Sequence, residues 1–424
     1  MAVDVSSSLE EEVLALLAGR RTADPFAVFA RMRDEAPDVT TIADTVFVTE
    51  YDAIRETLND QEHYGRMSFA SPSRLKELTA DWSDENRRLL EEEQEAYKGK
   101  LANAVGADHE RIRKVFMRFF TPKQVKKLEE YARGQWAEIL DQAEESGGVY
   151  DHRAAAQDYA LRIVTHIGGA PEADRQLIAN LGSKFSAANS LVHDEQAWRK
   201  SYEAGAELRR YISEEIIGGY QRNPGSNEFV STMMDVAGED VLTHSEMVST
   251  VDSVFFAGLD TTSTFLTNMM PELLTQRDQW QLLCDDQSLV PGAIEELLRY
   301  VSPVQAIPRL AKSSFEFRGV EIPAERTVVS CVAAAHRDPR RYERPDVLDV
   351  RRQSVQPLTL GYGFRYCVGA SLVRMDIRVA LSMLAERYPN IELACDRDDL
   401  EWGGNLSIRT VSSEMPVNLG PRRA

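Results

Sequence analysis

Apolar residues recur at three- and four-residue spacing along most of the chain, the period of a helix with one buried face. The pattern is clear in "DPFAVFARMRDEAP" (24–37) and "DHERIRKVFMRFF" (108–120), and it runs for many turns in "TPKQVKKLEEYARGQWAEILDQAEE" (121–145). Short β-branched and aromatic patches break it at "TTIADTVFVTE" (40–50), "SFEFRGVEIPAERTVVSCVAAA" (314–335) and "SIRTVSSEMPVNL" (407–419), which predict strands. The expectation is a mainly α protein with small β-sheets. No Pro/Gly/Ser-rich linker, repeat or low-complexity tract divides it, so residues 1–424 read as one large domain.

One helix stands apart. Thr243 and Glu246 form a capping box, and the apolar pattern then continues to about Gln276. At 1.5 Å per residue that is roughly 50 Å, long enough to cross a whole domain. Its middle is "AGLDTT" (257–262), where a glycine and two threonines are poor helix formers and Asp260 is a charge among apolar neighbours. A Thr261 hydroxyl bonded to the Ala257 carbonyl would loosen the ladder there, and Pro271 adds a bend further on. An acid and an alcohol at a weak point of a buried helix point to chemistry.

Composition narrows the function. Hydrophobic residues make up 43% and charged residues 28% of 424, enough for a sizeable core in a chain that dissolves in water. No apolar run approaches the 18 or so residues of a membrane span, and the acidic start "MAVDVSSSLEEEV" is unlike a signal peptide, so the expectation is a cytoplasmic protein without a membrane anchor. A net charge of −19 argues against nucleic acid. Against that average, residues 111–133 carry eight Lys/Arg and two Glu. The acidic run "EEEQE" (91–95) reads as a solvated helical face.

Four cysteines, Cys284, Cys331, Cys367 and Cys395, have no spacing suited to zinc or to disulfides, and three of them read as buried small hydrophobes. Cys367 differs. It lies in "LGYGFRYCVGA" (360–370), where Gly361, Gly363 and Gly369 permit tight turns and close approach, just before the helical pattern of "SLVRMDIRVALSMLAERY". A thiolate is favoured at such a helix N-terminus. Upstream, Glu296 and Arg299 share one helical face, and Arg352 is placed to reach them.

At these residues the chain resembles the cytochrome P450 superfamily, the heme-thiolate monooxygenases, over nearly its whole length. The heme-binding pattern Phe-Gly-x-Gly-x-His/Arg-x-Cys-x-Gly is met by Gly361, Gly363, Arg365, Cys367 and Gly369, with Leu360 where Phe is usual. The Glu-x-x-Arg motif is met by Glu296 and Arg299, and Ala-Gly-x-Asp/Glu-Thr by Ala257, Gly258, Asp260 and Thr261. Leu360 removes a ring that in the family packs near the sulfur, which implies an atypical reduction potential.

The resemblance implies a cytochrome P450 fold with heme b between the long central helix and the cysteine-loop helix. It implies Cys367 as the thiolate ligand of the iron, with His109, Arg113, Arg309 and Arg365 on the heme propionates and Ala257 and Gly369 against the heme. Glu296, Arg299 and Arg352 become a structural network, while Asp260 and Thr261 deliver protons to O2. It also implies a substrate pocket drawn from the loop Met67 to Asn103, from Phe185 to His193 and Leu406 to Arg409, and from Ser253, Phe256, Ala257, Val304, Gln305, Ile307 and Ile408. Gln305 and Arg409 are its polar groups.

Electrons derived from NAD(P)H then arrive from a separate ferredoxin and ferredoxin reductase, docking near Arg111, Lys114, Arg118, Lys123 and Arg374. The function implied is a monomeric monooxygenase that hydroxylates or epoxidises a small organic substrate. Oxidative coupling or ring formation in natural-product biosynthesis shares every motif. A heme sensor or electron carrier is the reading from outside enzymology, and the acid–alcohol pair disfavours it.

Overall fold

A computed structural model describes residues 6–17, 25–36, 38–65, 71–187, 194–240, 242–404 and 406–423. Helices dominate, and the strands among the described residues form four small sheets. The chain divides into two compact units, one of Met1–Tyr64, Val125–Tyr159 and Thr261–Ala424, the other of Gly65–Gln124 and Ala160–Asp260. Three passages between them fall inside the helices Pro122–Glu145, His152–Gly168 and His244–Thr275. A helix interior has no linker composition, so the sequence carries no sign of this division.

The first unit holds a four-stranded sheet in the order Val39–Ile42, Thr45–Val48, Thr327–Ser330, Ile307–Leu310, with Thr45–Val48 and Thr327–Ser330 parallel. Period two sorts its faces. Val46, Val48 and Val328 join Tyr51, Ile54 and Leu358 in one apolar cluster, and Phe47 and Val329 join Leu9, Phe29 and Met32 in another. Thr327–Ser330 is an inner strand buried throughout, which explains its unbroken "TVVS". The predicted strand regions all contain strands, whereas Val149–Asp151 and Glu392–Leu393, which flank Pro416–Asn418, are too short to show a period.

The second unit is helical. Gly106–Phe119 lies on Glu228–Asp240, where the Phe229 ring meets Phe116 at 5.8 Å and Phe119 at 5.1 Å. The acidic run is not wholly solvated: on the helix Asp84–Lys98, Glu93 is buried and accepts two hydrogen bonds from Arg209, at 2.9 and 2.6 Å.

The long helix spans His244–Thr275. Its capping box forms, with the Thr243 N–H donating to Glu246 Oε2 at 2.8 Å and the Glu246 N–H to Thr243 Oγ1 at 3.2 Å. The backbone stays α-helical through "AGLDTT", so the low propensity of that stretch is not expressed as a break. Gly258 serves packing instead: a Cβ there would lie 2.6 Å from Val164 Cγ1, on the helix His152–Gly168.

Candidate functional site

The cysteine loop begins at the single turn Leu358–Leu360 and ends at Gly369, the N-cap of the helix Ala370–Arg387. Gly361 at φ 76° and Gly363 at φ 63° occupy the left-handed region that favours glycine. A Cβ on Gly361 would also press to 3.2 Å from the Arg365 carbonyl oxygen. The doubled-back chain is closed by the Cys367 N–H donating to the Leu360 carbonyl at 2.8 Å. Cys367 is half-buried at the N-terminal end of that helix. Cys284 and Cys331 are buried, and burial pushes their thiols up to about 11 and about 12, which leaves them inert. Cys395 is half-buried, against the expectation of a third core cysteine, because it sits beside the exposed turn Arg397–Asp399.

Behind the loop, in the same unit, lies a buried ionic knot. Arg299 donates from Nε and Nη2 to the two oxygens of Glu296, both at 2.7 Å, and from Nη1 to the carbonyls of His336 at 2.8 Å and Pro345 at 2.7 Å. Arg352 Nε donates to Glu296 Oε1 at 3.0 Å, and its Nη1 to the Glu343 carbonyl at 2.7 Å. Arg299 and Glu296 are both 0% exposed. A buried pair of this kind is stable only when its remaining donors and acceptors are met, and here backbone carbonyls meet them.

His336 is the residue that sequence reasoning missed. Its Nε2 accepts from the Leu358 N–H at 2.7 Å, so Nδ1 carries the proton and donates to Ser302 Oγ at 3.1 Å. Burial, followed by the charges of Arg299 and Arg337, holds its pKa well below the usual value and keeps it neutral. Thr359 Oγ1 adds a bond to the Leu298 carbonyl at 2.8 Å. The start of the cysteine loop is thus tied to both the knot and its helix Val290–Tyr300. The only signal available in the sequence was a histidine in "AAAHRDP", and its partner lies far along the chain.

Arg309 is buried on the strand Ile307–Leu310, and its guanidinium is pushed down to about 10, first by burial and then by the like charge of Arg365. A buried cation with a second, half-buried cation near it is a place that suits an anion such as a carboxylate. With a half-buried cysteine on a glycine turn in the same unit, these residues fit a heme with its propionates and a thiolate ligand. In the second unit, buried His109 and half-buried Arg113 stand one turn apart on Gly106–Phe119.

On the long helix, Ala257 and Asp260 are exposed and Gly258, Leu259 and Thr261 half-buried, between the buried pair Val254 and Phe255 and the buried run from Thr262 to Pro271. The opening falls on the acid–alcohol motif. Ser253 and Phe256 are half-buried on the same helix. In the first unit, Val304 pairs with Ile408, and the Gln305 N–H donates to the Ser407 carbonyl at 2.7 Å, so these two stretches meet, and Ile307 opens the strand that follows. Gln305 is buried, and its Nε2 has no hydrogen-bond partner among the described residues. Of the expected pocket loops, residues 66–70 and 188–193, with Met67 and His193, lie outside the described residues.

The basic segment is less free than its composition suggests. Arg111 pairs with Glu246, the capping residue of the long helix, and with Asp108 at 2.9 Å. Lys114 at 3.2 Å and Arg118 at 2.7 Å share Glu239, whose carboxyl they hold down to about 2. Arg374 forks onto Glu295 at 2.5 and 2.9 Å. The net positive count belongs to the segment alone, because acids from distant sequence lie against it. Lys123 is exposed in the first turn of Pro122–Glu145.

Comparison with known proteins agrees with this arrangement. A family model described as cytochrome P450 matches residues 284–400, which include the knot and the cysteine loop. The chain is 30% identical over 414 residues to the cytochrome P450 monooxygenase PikC of Streptomyces venezuelae, covering 93% of this chain and 91% of that protein. It is also 30% identical over 425 residues to a vitamin D(3) 25-hydroxylase of Pseudonocardia autotrophica, covering 96% and 97%. Among solved structures, the P450 enzyme CxnD, described as forming a C–S bond in chuangxinmycin biosynthesis, superposes with a TM-score of 0.81 at 26% identity over 94% of this chain and 95% of that one. The chain belongs to the cytochrome P450 family. It is a monooxygenase, an oxidoreductase that works with heme and O2. No described helix is long and apolar enough to cross a membrane.

Proposed function

We propose that the protein hydroxylates or epoxidises a small organic molecule with electrons from an external ferredoxin, and that Cys367 is the proximal ligand of its heme. The observation that carries this is the cysteine loop, a half-buried thiol on a glycine turn at a helix N-terminus, with the buried Arg309 in the same unit. When bound, heme supplies activation of O2 that no side chain can provide. Arg309 and Arg365 neutralise its propionates, with His109 and Arg113 in the same role by family resemblance, and Gly369 permits close approach of the loop. The neutral His336 and the Glu296–Arg299–Arg352 knot hold the loop in place and take no part in chemistry. Thr261 holds a proton donor at its hydroxyl, and Asp260, exposed to solvent, resupplies it.

Relatives named as hydroxylases and the CxnD structure named for C–S bond formation support both the insertion reading and the coupling alternative. The deciding experiment finds a ligand by its shift of the heme spectrum and then turns it over under 18O2. One labelled oxygen in the product is expected, and an unlabelled coupled or cyclised product would install the alternative. In the same assay Thr261→Ala should divert reducing equivalents to hydrogen peroxide while binding is unchanged. A fully coupled Thr261→Ala enzyme would remove Thr261 from proton delivery.

Ferredoxin docking rests on exposed Lys123 more than on Arg111, which is committed to Glu246. Lys123→Glu should slow reduction at low salt and converge with wild type near 1 M, where charges are screened beyond about 3 Å. Equal, salt-independent stopped-flow rates would remove the segment from docking.

A further inference from the structure

In the second unit the ammonium of Lys100 sits inside a cage of other residues. Its Nζ lies 2.6 Å from Asp252 Oδ2, and 4.5, 4.9 and 5.1 Å from the ring centroids of Tyr97, Phe185 and Phe256. The rings brace one another, with Phe185 edge-on to Phe256 at 4.9 Å and stacked with Tyr97 at 6.1 Å. Phe185 is fixed in turn, since its carbonyl accepts from Ser201 Oγ at 2.7 Å and its ring lies where a Cβ on Gly205 would come within 2.6 Å. Gly99 brings the turn against the long helix, its missing Cβ 3.1 Å from Ser249 Oγ, and so lets Lys100 reach Asp252.

One carboxylate and three aromatic faces around a positive nitrogen is the chemistry that recognises organic ammonium groups, and desolvation strengthens it. Asp252 is 3% exposed and Lys100 14%, so the pair is largely out of water. Yet Lys100 belongs to a turn between the helices Asp84–Lys98 and Gly106–Phe119, flanked by exposed Lys98 and Ala102. Its flexible stem and strongly hydrated head can withdraw into solvent. If a second ammonium enters as Lys100 leaves, the buried charge count stays at zero and Asp252 is never left unpaired.

We propose that this cage recognises a protonated or quaternary amine on the substrate, and that Lys100 holds its place between turnovers. The inference rests on the monooxygenase reading above and names its substrate class. Phe256 adjoins Ala257, and Asp252 is about 12 Å along the helix from Asp260 by helical rise, so the oxidised carbon lies several bonds from the nitrogen.

The test uses the holoenzyme and calorimetry with three probes of one chain length: decyltrimethylammonium, 1-decanol and decyl sulfate. The quaternary nitrogen has no lone pair to offer iron. Wild type should bind the cation about tenfold more tightly than the alcohol, the scale of a desolvated cation–π cage, and the sulfate least. Lys100→Met should tighten the cation further by removing its competitor, and Asp252→Asn should abolish the preference. Equal binding of the three probes, or a cation preference that survives Asp252→Asn, would overturn the cage. If Asp252→Asn does not fold, the pair Lys100→Met with Asp252→Leu removes both charges together and should bind cation and alcohol alike; a retained preference there has the same overturning force. Each sample is also reduced under carbon monoxide: loss of the thiolate band in wild type would fail the heme-thiolate reading, while a normal band without cation preference fails the cage alone.

Discussion

Arg299 and Lys100 are both cations fixed against a buried carboxylate, and they are held in opposite ways. Arg299 is planar, 0% exposed, forked onto Glu296 and bonded by its remaining donors to backbone carbonyls, so its whole hydrogen-bonding capacity is spent on the fold. Lys100 offers a single ion pair to Asp252, is surrounded otherwise by π faces and hangs from a turn. A guanidinium with five donors and fixed geometry suits a permanent joint, and a hydrated ammonium on a flexible stem suits an exchangeable one. Burial of charge alone therefore does not separate scaffold from recognition; what separates them is how many partners the charge would lose on leaving.

The largest effect is expected for Arg299→Leu. It leaves Glu296 buried, with Arg352 at 3.0 Å as its remaining side-chain partner, and strips donors from the His336 and Pro345 carbonyls. A loss of about 3–5 kcal/mol is expected, measured by denaturant unfolding of the holoenzyme together with heme retention. Lys100→Met should cost less, about 1–3 kcal/mol, because Asp252 can recruit water through the turn that Lys100 left. If the two substitutions cost the same, the contrast between fixed and exchangeable cations is wrong.

A smaller effect follows from pH. His336 is held well below 6.5 in the folded protein, so the unfolded chain takes up a proton below about pH 6.5 that the native state excludes. Stability therefore falls as pH drops below that value. His336→Gln keeps an acceptor for the Leu358 N–H and a donor for Ser302 Oγ, and should make the acid-side slope shallower by up to one proton, about 1.4 kcal/mol per pH unit. His152, which burial holds down to about 4, continues to contribute in the variant. An unchanged slope would mean that His336 does titrate in the folded knot.

What the sequence showed depended on how locally each feature is encoded. The Thr243–Glu246 cap and the Glu296–Arg299 pair lie three residues apart, within reach of helix periodicity, and both form. The strand pattern of 314–335 resolves into the strands Phe315–Phe317, Val320–Ile322 and Thr327–Ser330. The service of His336 to Leu358 and the approach of Asp252 to Lys100 join distant stretches through folding, and no local pattern marks them. The ion pairs of the basic segment are hidden for the same reason: its own residues sum to a positive patch, and Glu239 and Glu246 are supplied from elsewhere. The π-helical stretch Ile212–Ile217, continuing the helix Glu195–Tyr211, likewise carries no local pattern that sets it apart from α-helix.

In the proposed arrangement Cys367 donates a thiolate to the heme while the knot behind it only positions the loop. The most direct measurement is the Soret band of the ferrous carbon monoxide complex in wild type and in Cys367→Ser, each with heme content determined separately. Wild type should show the far-red-shifted band, and a Cys367→Ser protein that still holds heme through Arg309 and Arg365 should lack it. A Cys367→Ser protein that retained the shifted band would contradict the thiolate assignment.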